Sequence, residues 1–237
     1  KTGYEVMNMN LGAMHNTPGD VGSYGLLYQW GRKDPFPAAP TLTGTTATVG
    51  APIYDGDDNE IKITNSSQSS TADNNLAFAI ANPTVCLSNY AQFNTSRDWL
   101  QADMSNDALW GNPKGAERNE TNDFLNKGAK SFYDPCPVGW RVPPADVFRN
   151  FTASGGYAWV IDDFDIADIS GDGAKSLADY DYGWTFNLSD SASSYFPAAA
   201  RFDGSYAMLM GSMSGLWGSY WGNAPYPCLL YTSPSPR

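Results

Sequence analysis

Histidine is almost missing from this sequence: His15 is the only one in 237 residues. A Ser-His-Asp triad, an HExxH zinc site or any site needing several imidazoles would have to rest on that one side chain. It lies in Met14-His15-Asn16-Thr17-Pro18, which reads as a surface loop. Cysteine is scarce too. Cys86, Cys136 and Cys228 contain no CxxC pair, so zinc ribbons and thioredoxin-type redox chemistry have no support. No apolar run approaches the roughly 18 residues that a membrane-spanning helix needs. Charged residues make up only 16%, with 14 Lys and Arg against 25 Asp and Glu, for a net charge of −11 and a pI of about 4.3. Such a surface repels phosphate backbones and anionic lipid, which argues against nucleic-acid and membrane-surface partners. It is compatible with calcium, sugars or basic proteins.

What is present is aromatic and turn-forming: 8 Trp, 14 Tyr, 23 Gly and 16 Pro. That mixture predicts a loop-rich α+β domain with a twisted antiparallel sheet and one or two short helices, not a helical bundle. The length suits one large domain or two small ones. YEVMNMNL (4–11) alternates loosely and predicts a first strand. IYDGDDNEIKI (53–63) predicts a hairpin around Gly-Asp-Asp-Asn. NSSQSSTADNN (65–75) reads as a polar loop, and LAFAIAN (76–82) as a short helix stopped by Pro83. Residues 94–131 read as long ordered loops with buried Trp anchors. Trp140, Arg141 and Val142 suit a short strand, followed by a helical turn that Pro144 can open. GWTFNL, SYFPAAARF, YAMLMG and GLWGSYWG supply strand-like pieces from Trp184 onward. Several Trp residues stand beside glycines, as expected where a large ring needs a close backbone approach.

No catalytic constellation emerges from the acids, because 25 carboxylates always offer some pair at glycosidase spacing. GDGAKS (171–176) lacks the glycine spacing of a phosphate loop and is flanked by Asp. The sharper motif is the twelve-residue stretch Asp168–Asp179. Read as a calcium loop, it places oxygen ligands at Asp168, Ser170, Asp172, Ser176 and Asp179, with the Ala174 carbonyl at the seventh position. Gly173 falls sixth, where such a loop turns sharply. The stretch resembles a dockerin or EF-hand loop, and any Ca²⁺ there would be structural.

MNMNLGA, YGLLYQWGRKDPFP, YDPCPVGWRVP, GWTF, SYFPAAARFDGS and GSMSGLWGSYW follow one another in order. Together they resemble the Fibrobacter-succinogenes-major-paralogous-type domain of fimbrillin-family surface proteins of Bacteroidota. The similarity spans most of residues 4–222, and QWGRKDPFP and DPCPVGWRVP are its specific parts. It implies a C-type-lectin-like fold, an extracellular or outer-membrane cell-surface location, and adhesion to an unknown glycan or surface protein without catalysis. Trp217, Tyr220, Trp221 and Asn223 lie nearest the implied ligand face and are the candidate binding residues. Two departures stand out: Ala200 replaces the usual glycine of "PAAG", and Gly222-Asn223 replace the usual continuation after Tyr220-Trp221. Cys86 falls where a buried apolar residue is expected and reads as a buried thiol, while Cys136 reads as a cysteine separated from its natural partner.

The same resemblance leaves two other functions open. One is a structural fimbrial (pilus) subunit, completed by a neighbour's strand. The other is a formylglycine-generating-type enzyme, which needs reactive cysteines late in the domain, where only Cys228 stands. The last ten residues, CLLYTSPSPR (228–237), resemble the in-frame translation of a sequencing-library adapter. The expectation is therefore a domain over residues 1–227, truncated at both ends and lacking its last strands. The chain opens on Lys1-Thr2-Gly3, already close to strand-like sequence. Its start reads as lying inside a longer protein, with any signal or lipid anchor upstream.

Overall fold

A computed structural model describes residues 4–37, 54–60, 64–66, 75–87, 109–111, 129–144, 147–148, 151–154, 161–200, 202–203, 208–209, 218–220 and 230–232. Among these residues the elements are short and loops dominate, as the Gly and Pro content implies. One α-helix is present, α1 (Asn75–Ala81). The strands are β1 (Leu26–Tyr28), β2 (Pro35–Pro37), β3 (Thr64–Ser66), β4 (Val85–Leu87), β5 (Gly183–Ser189), β6 (Ala192–Pro197), β7 (Phe202–Asp203), β8 (Met208–Leu209), β9 (Gly218–Tyr220) and β10 (Leu230–Thr232). The class is mixed α+β.

The described strands form five two-stranded ladders. Four are antiparallel; the fifth pairs β3 with β4 in parallel through α1. A parallel pair needs a crossover, and the helix supplies it. The sequence reading placed Asn65 and Ser66 of β3 in a polar loop, because a three-residue Thr-Asn-Ser strand carries no alternation to detect. The expected first strand at 4–11 is not a ladder strand. Tyr4 to Asn10 run as coil and bends, tied by Ser194 Oγ donating to the Asn8 carbonyl (3.4 Å) and by Leu26 N–H donating to the Leu11 carbonyl (2.8 Å). The 53–63 hairpin is present in reduced form. Tyr54 bridges Glu60, and the Asp55 carboxylate accepts backbone N–H groups of Asp57 and Asn59 at 2.9 Å each.

α1 forms where Leu76, Phe78 and Ala79 can face one side, against Trp30, Leu87 and Trp110. The Asn82 side chain donates to the Phe78 carbonyl at 2.8 Å, and Pro83 blocks continuation. A second cluster gathers Val147, Phe151, Ile166, Trp184 and Phe186. Here β5 and β6 pair with Trp184 opposite Phe196 and Phe186 opposite Ser194. Phe151 meets Phe186 and Phe196 edge-on, with ring centres 4.8 Å from each, an arrangement that aromatic quadrupoles favour. Gly183 is required by proximity. A Cβ there would stand 2.5 Å from the Phe196 carbonyl oxygen and 2.7 Å from Pro197 Cα.

β10 pairs with β9 in the register Leu230–Tyr220, Tyr231–Ser219 and Thr232–Gly218. Three residues of the adapter-like tail therefore join a backbone ladder. No helix among the described residues is long and apolar enough to cross a membrane.

Candidate functional site

Two motifs carried the family resemblance, and each is organised by one buried charged residue. In QWGRKDPFP the residue is Arg32, 3% exposed. Its guanidinium donates to the Asp34 carboxylate through Nε (3.1 Å) and Nη2 (2.8 Å), to the Gln29 side-chain oxygen (3.2 Å) and to the Val85 carbonyl (2.6 Å). Nη2 also reaches the carbonyls of Ala79, Asn82 and Pro83 at 3.2–3.4 Å. Those carbonyls end α1, where orphan acceptors collect and positive charge is favoured. Gln29 completes the join: its amide donates to the Leu87 carbonyl (2.6 Å) and its oxygen accepts the Leu87 N–H (3.3 Å).

In DPCPVGWRVP the residue is Asp134, 0% exposed. Its Oδ1 accepts the Cys136 N–H (2.8 Å) and the Lys130 ammonium (3.0 Å), and its Oδ2 accepts the Val142 N–H (2.8 Å). Residues 140–142, expected as a strand, are coil, because the carboxylate serves Val142 in place of a neighbouring strand. Lys130 closes the loop with a further bond to the Cys136 carbonyl at 2.6 Å. The Trp110 indole N–H donates to the Arg32 and Tyr133 carbonyls at 3.3 and 3.1 Å, so it links the two motifs.

Both described thiols are free, and Cys86 is buried as expected. Burial pushes the Cys86 thiol up to about 11. Burial, and then the neighbouring Asp134 charge, push Cys136 up to about 12. A thiolate is the reactive form, so both are poor nucleophiles at neutral pH. Tyr28, close to Cys136, is raised to about 12, chiefly by burial. His15 sits on a half-exposed loop with Nε2 3.5 Å from Asp20 Oδ1, and its Nδ1 accepts the Thr17 N–H at 3.4 Å.

Of the candidate ligand residues, Trp217, Trp221 and Asn223 lie outside the described residues. Tyr220 is on β9. Its hydroxyl donates to the Pro197 carbonyl at 2.6 Å, and its ring meets Phe196 at 5.3 Å. Burial pushes its phenol well above the ordinary tyrosine value.

The calcium-loop candidates are all described. Asp168 accepts the N–H groups of Gly171 (2.6 Å) and Gly173 (3.0 Å), with the Ser170 hydroxyl at 3.4 Å. Asp172 accepts the Ala174 N–H (2.8 Å) and the Ser176 hydroxyl (3.4 Å). Asp179, covered by its own loop, accepts the N–H groups of Ile169 and Ser170 (2.9 Å each) and of Ser176 (3.1 Å). The backbone bond from Ser170 is the leading cause of its lowered pKa. Ser176 and Asp179 form a capping box on the 3₁₀ turn Leu177–Asp179. Lys175 ties the loop to the carbonyls of Asp162 (3.2 Å) and Phe164 (2.5 Å). Among the described residues no three His, Cys, Asp or Glu side chains come together as a metal-holding group.

The sequence reading missed a cleft. A cavity of about 540 Å³ is lined by residues 5–13 and Trp140, and a smaller one of about 240 Å³ lies beside it, also lined by Trp140. The only sequence signal was the polar-apolar alternation of EVMNMN, which looks the same for a strand and for a cleft wall. Comparison with protein families, curated proteins and solved structures finds no match.

Proposed function

We propose that this chain is a non-catalytic recognition or adhesion domain of C-type-lectin-like build, displayed outside the cell, that binds a glycan or a surface protein. What carries the reading is the use made of the motif residues. Arg32 and Asp134, the charged centres of the two specific motifs, are spent on internal carbonyls, amides and one ion pair each. Motifs built this way define a scaffold, and a scaffold leaves recognition to its loops. Ala200 adds support: where the family pattern has glycine, the backbone is left-handed, with φ +64°. The test is competition. Purified chain should block attachment of cells displaying this protein to their target surface. Assembly of the chain into fibres with no such block would favour the structural pilus subunit.

Within the same reading, the loop Asp168–Asp179 is a structural Ca²⁺ site. The specific observation in favour is the turn itself: Gly171 and Gly173 have φ +74° and +79°, and Asp168 gathers their N–H groups. Its carboxylates would exchange some of these bonds for a hard cation.

A further inference from the structure

We infer that the cleft between residues 5–13 and Trp140 is a binding site for uncharged pyranose sugars. The inference rests on the recognition reading and names its ligand class and place. At about 540 Å³ the cleft falls within the roughly 300–1,000 Å³ of small-molecule sites, and it shares Glu5, Asn10 and Trp140 with the neighbouring cavity. Its wall combines Trp140 with Glu5 and Asn8, both exposed residues. A pyranose presents an apolar C–H face and a rim of hydroxyls. An indole matches the first, and amide and carboxylate groups, which accept and donate in several directions, match the second. Asn10 is fixed by donating its Nδ2 hydrogen to the Tyr24 carbonyl at 3.0 Å, which steadies the wall on which Asn8 stands. The Trp140 backbone N–H donates to the Pro137 carbonyl at 3.0 Å, in the loop that Asp134 organises. Charge selects among sugars. Glu5 is the charged residue lining the cleft, and the chain carries a net −11, so uronates and sialylated sugars are repelled.

The test is a fluorescence and calorimetric titration of the intact chain with trisaccharides of glucose, mannose, galactose and N-acetylglucosamine, and with trigalacturonate as the acidic probe. At least one neutral trisaccharide is expected to bind saturably and trigalacturonate not at all. Trp140→Ala should weaken that binding at least about tenfold. Trp140→Phe should retain part of it, and Asn8→Ala, on an exposed residue, should weaken it with an unchanged melting midpoint. Equal affinity in the wild type and Trp140→Phe or Asn8→Ala variants would overturn the site, as would preference for the uronate. If no neutral trisaccharide binds while the chain still blocks cell attachment, the cleft assignment fails and the recognition reading stands. If neither is seen, both fail.

Discussion

Asp134 shows how a single side chain can replace a strand. Two backbone N–H groups and one ammonium converge on it in a place with no water access. Asp134→Ala should cost roughly 2–4 kcal/mol by chemical denaturation, since each orphaned buried donor costs about 1–3 kcal/mol. A loss below about 0.5 kcal/mol would show that solvent serves those amides. Ala200 makes the opposite prediction. A non-glycine residue in the left-handed region pays about 1–2 kcal/mol, and losing one buried methyl costs about 0.8 kcal/mol. Ala200→Gly should therefore leave stability unchanged or raise it by up to about 1 kcal/mol, where an ordinary Ala→Gly change destabilises. The thiols give a pH test. Cys86 and Cys136 have folded pKa values raised to about 11 and about 12 from an ordinary 9.0. Their protonated burial stabilises the fold fully below pH 9, and that contribution is lost as pH rises from there toward the folded values. The melting midpoint should decline above pH 9, and peptides carrying Cys86 and Cys136 should resist iodoacetamide at pH 8 until the chain unfolds. Rapid labelling of Cys86 in the folded chain would contradict its burial.

At the scale of elements, what could be read from the sequence depended on whether a segment carries its own signal. α1 and the strand character of β5 and β6 were legible because LAFAIAN is a short apolar run stopped by Pro83, and because Trp184, Phe186, Tyr195 and Phe196 lie in apolar runs bounded by glycine or proline; the pairing of β5 with β6 was not read. The parallel β3–β4 pair was not, since its register is set by distant partners: Gln29 and Arg32 bond β4 from the far side of the chain. Tyr4–Leu11 failed for the converse reason. It has strand-like alternation, but its backbone meets single partners, Leu26 of β1 and Ser194 of β6, while Tyr4 and Val6 pack on the Phe151–Phe186 cluster, and a strand without a ladder partner is not a strand. The motif residues were found as motifs, while their work as hubs was invisible, because burial and bonding depend on tertiary placement. The Asp168–Asp179 loop is held by Asp cap bonds and by Lys175. Calcium at a hundredfold excess over its dissociation constant should still raise stability by roughly 2.7 kcal/mol. Melting in calcium and in chelator, repeated for Asp172→Ala, checks this. Identical midpoints in all four conditions would remove the site.

At the scale of the molecule, the buried hubs Arg32 and Asp134 organise the cluster around Trp30 and Trp110, a second cluster forms around Phe151 and Phe186, and the described strands pair in short ladders where a twisted antiparallel sheet was expected. A net charge of −11 disfavours phosphate backbones and anionic lipid as partners, which agrees with the proposal of a glycan or protein ligand. The central claim is that this scaffold serves recognition. The most direct measurement is a binding isotherm of the monomeric, folded chain on an array of neutral glycans and extracellular-matrix proteins. The account predicts saturable binding to a small set of related ligands, unchanged when the tail 228–237 is removed. A chain that is folded yet binds nothing on the array, and instead polymerises into fibres, would contradict it.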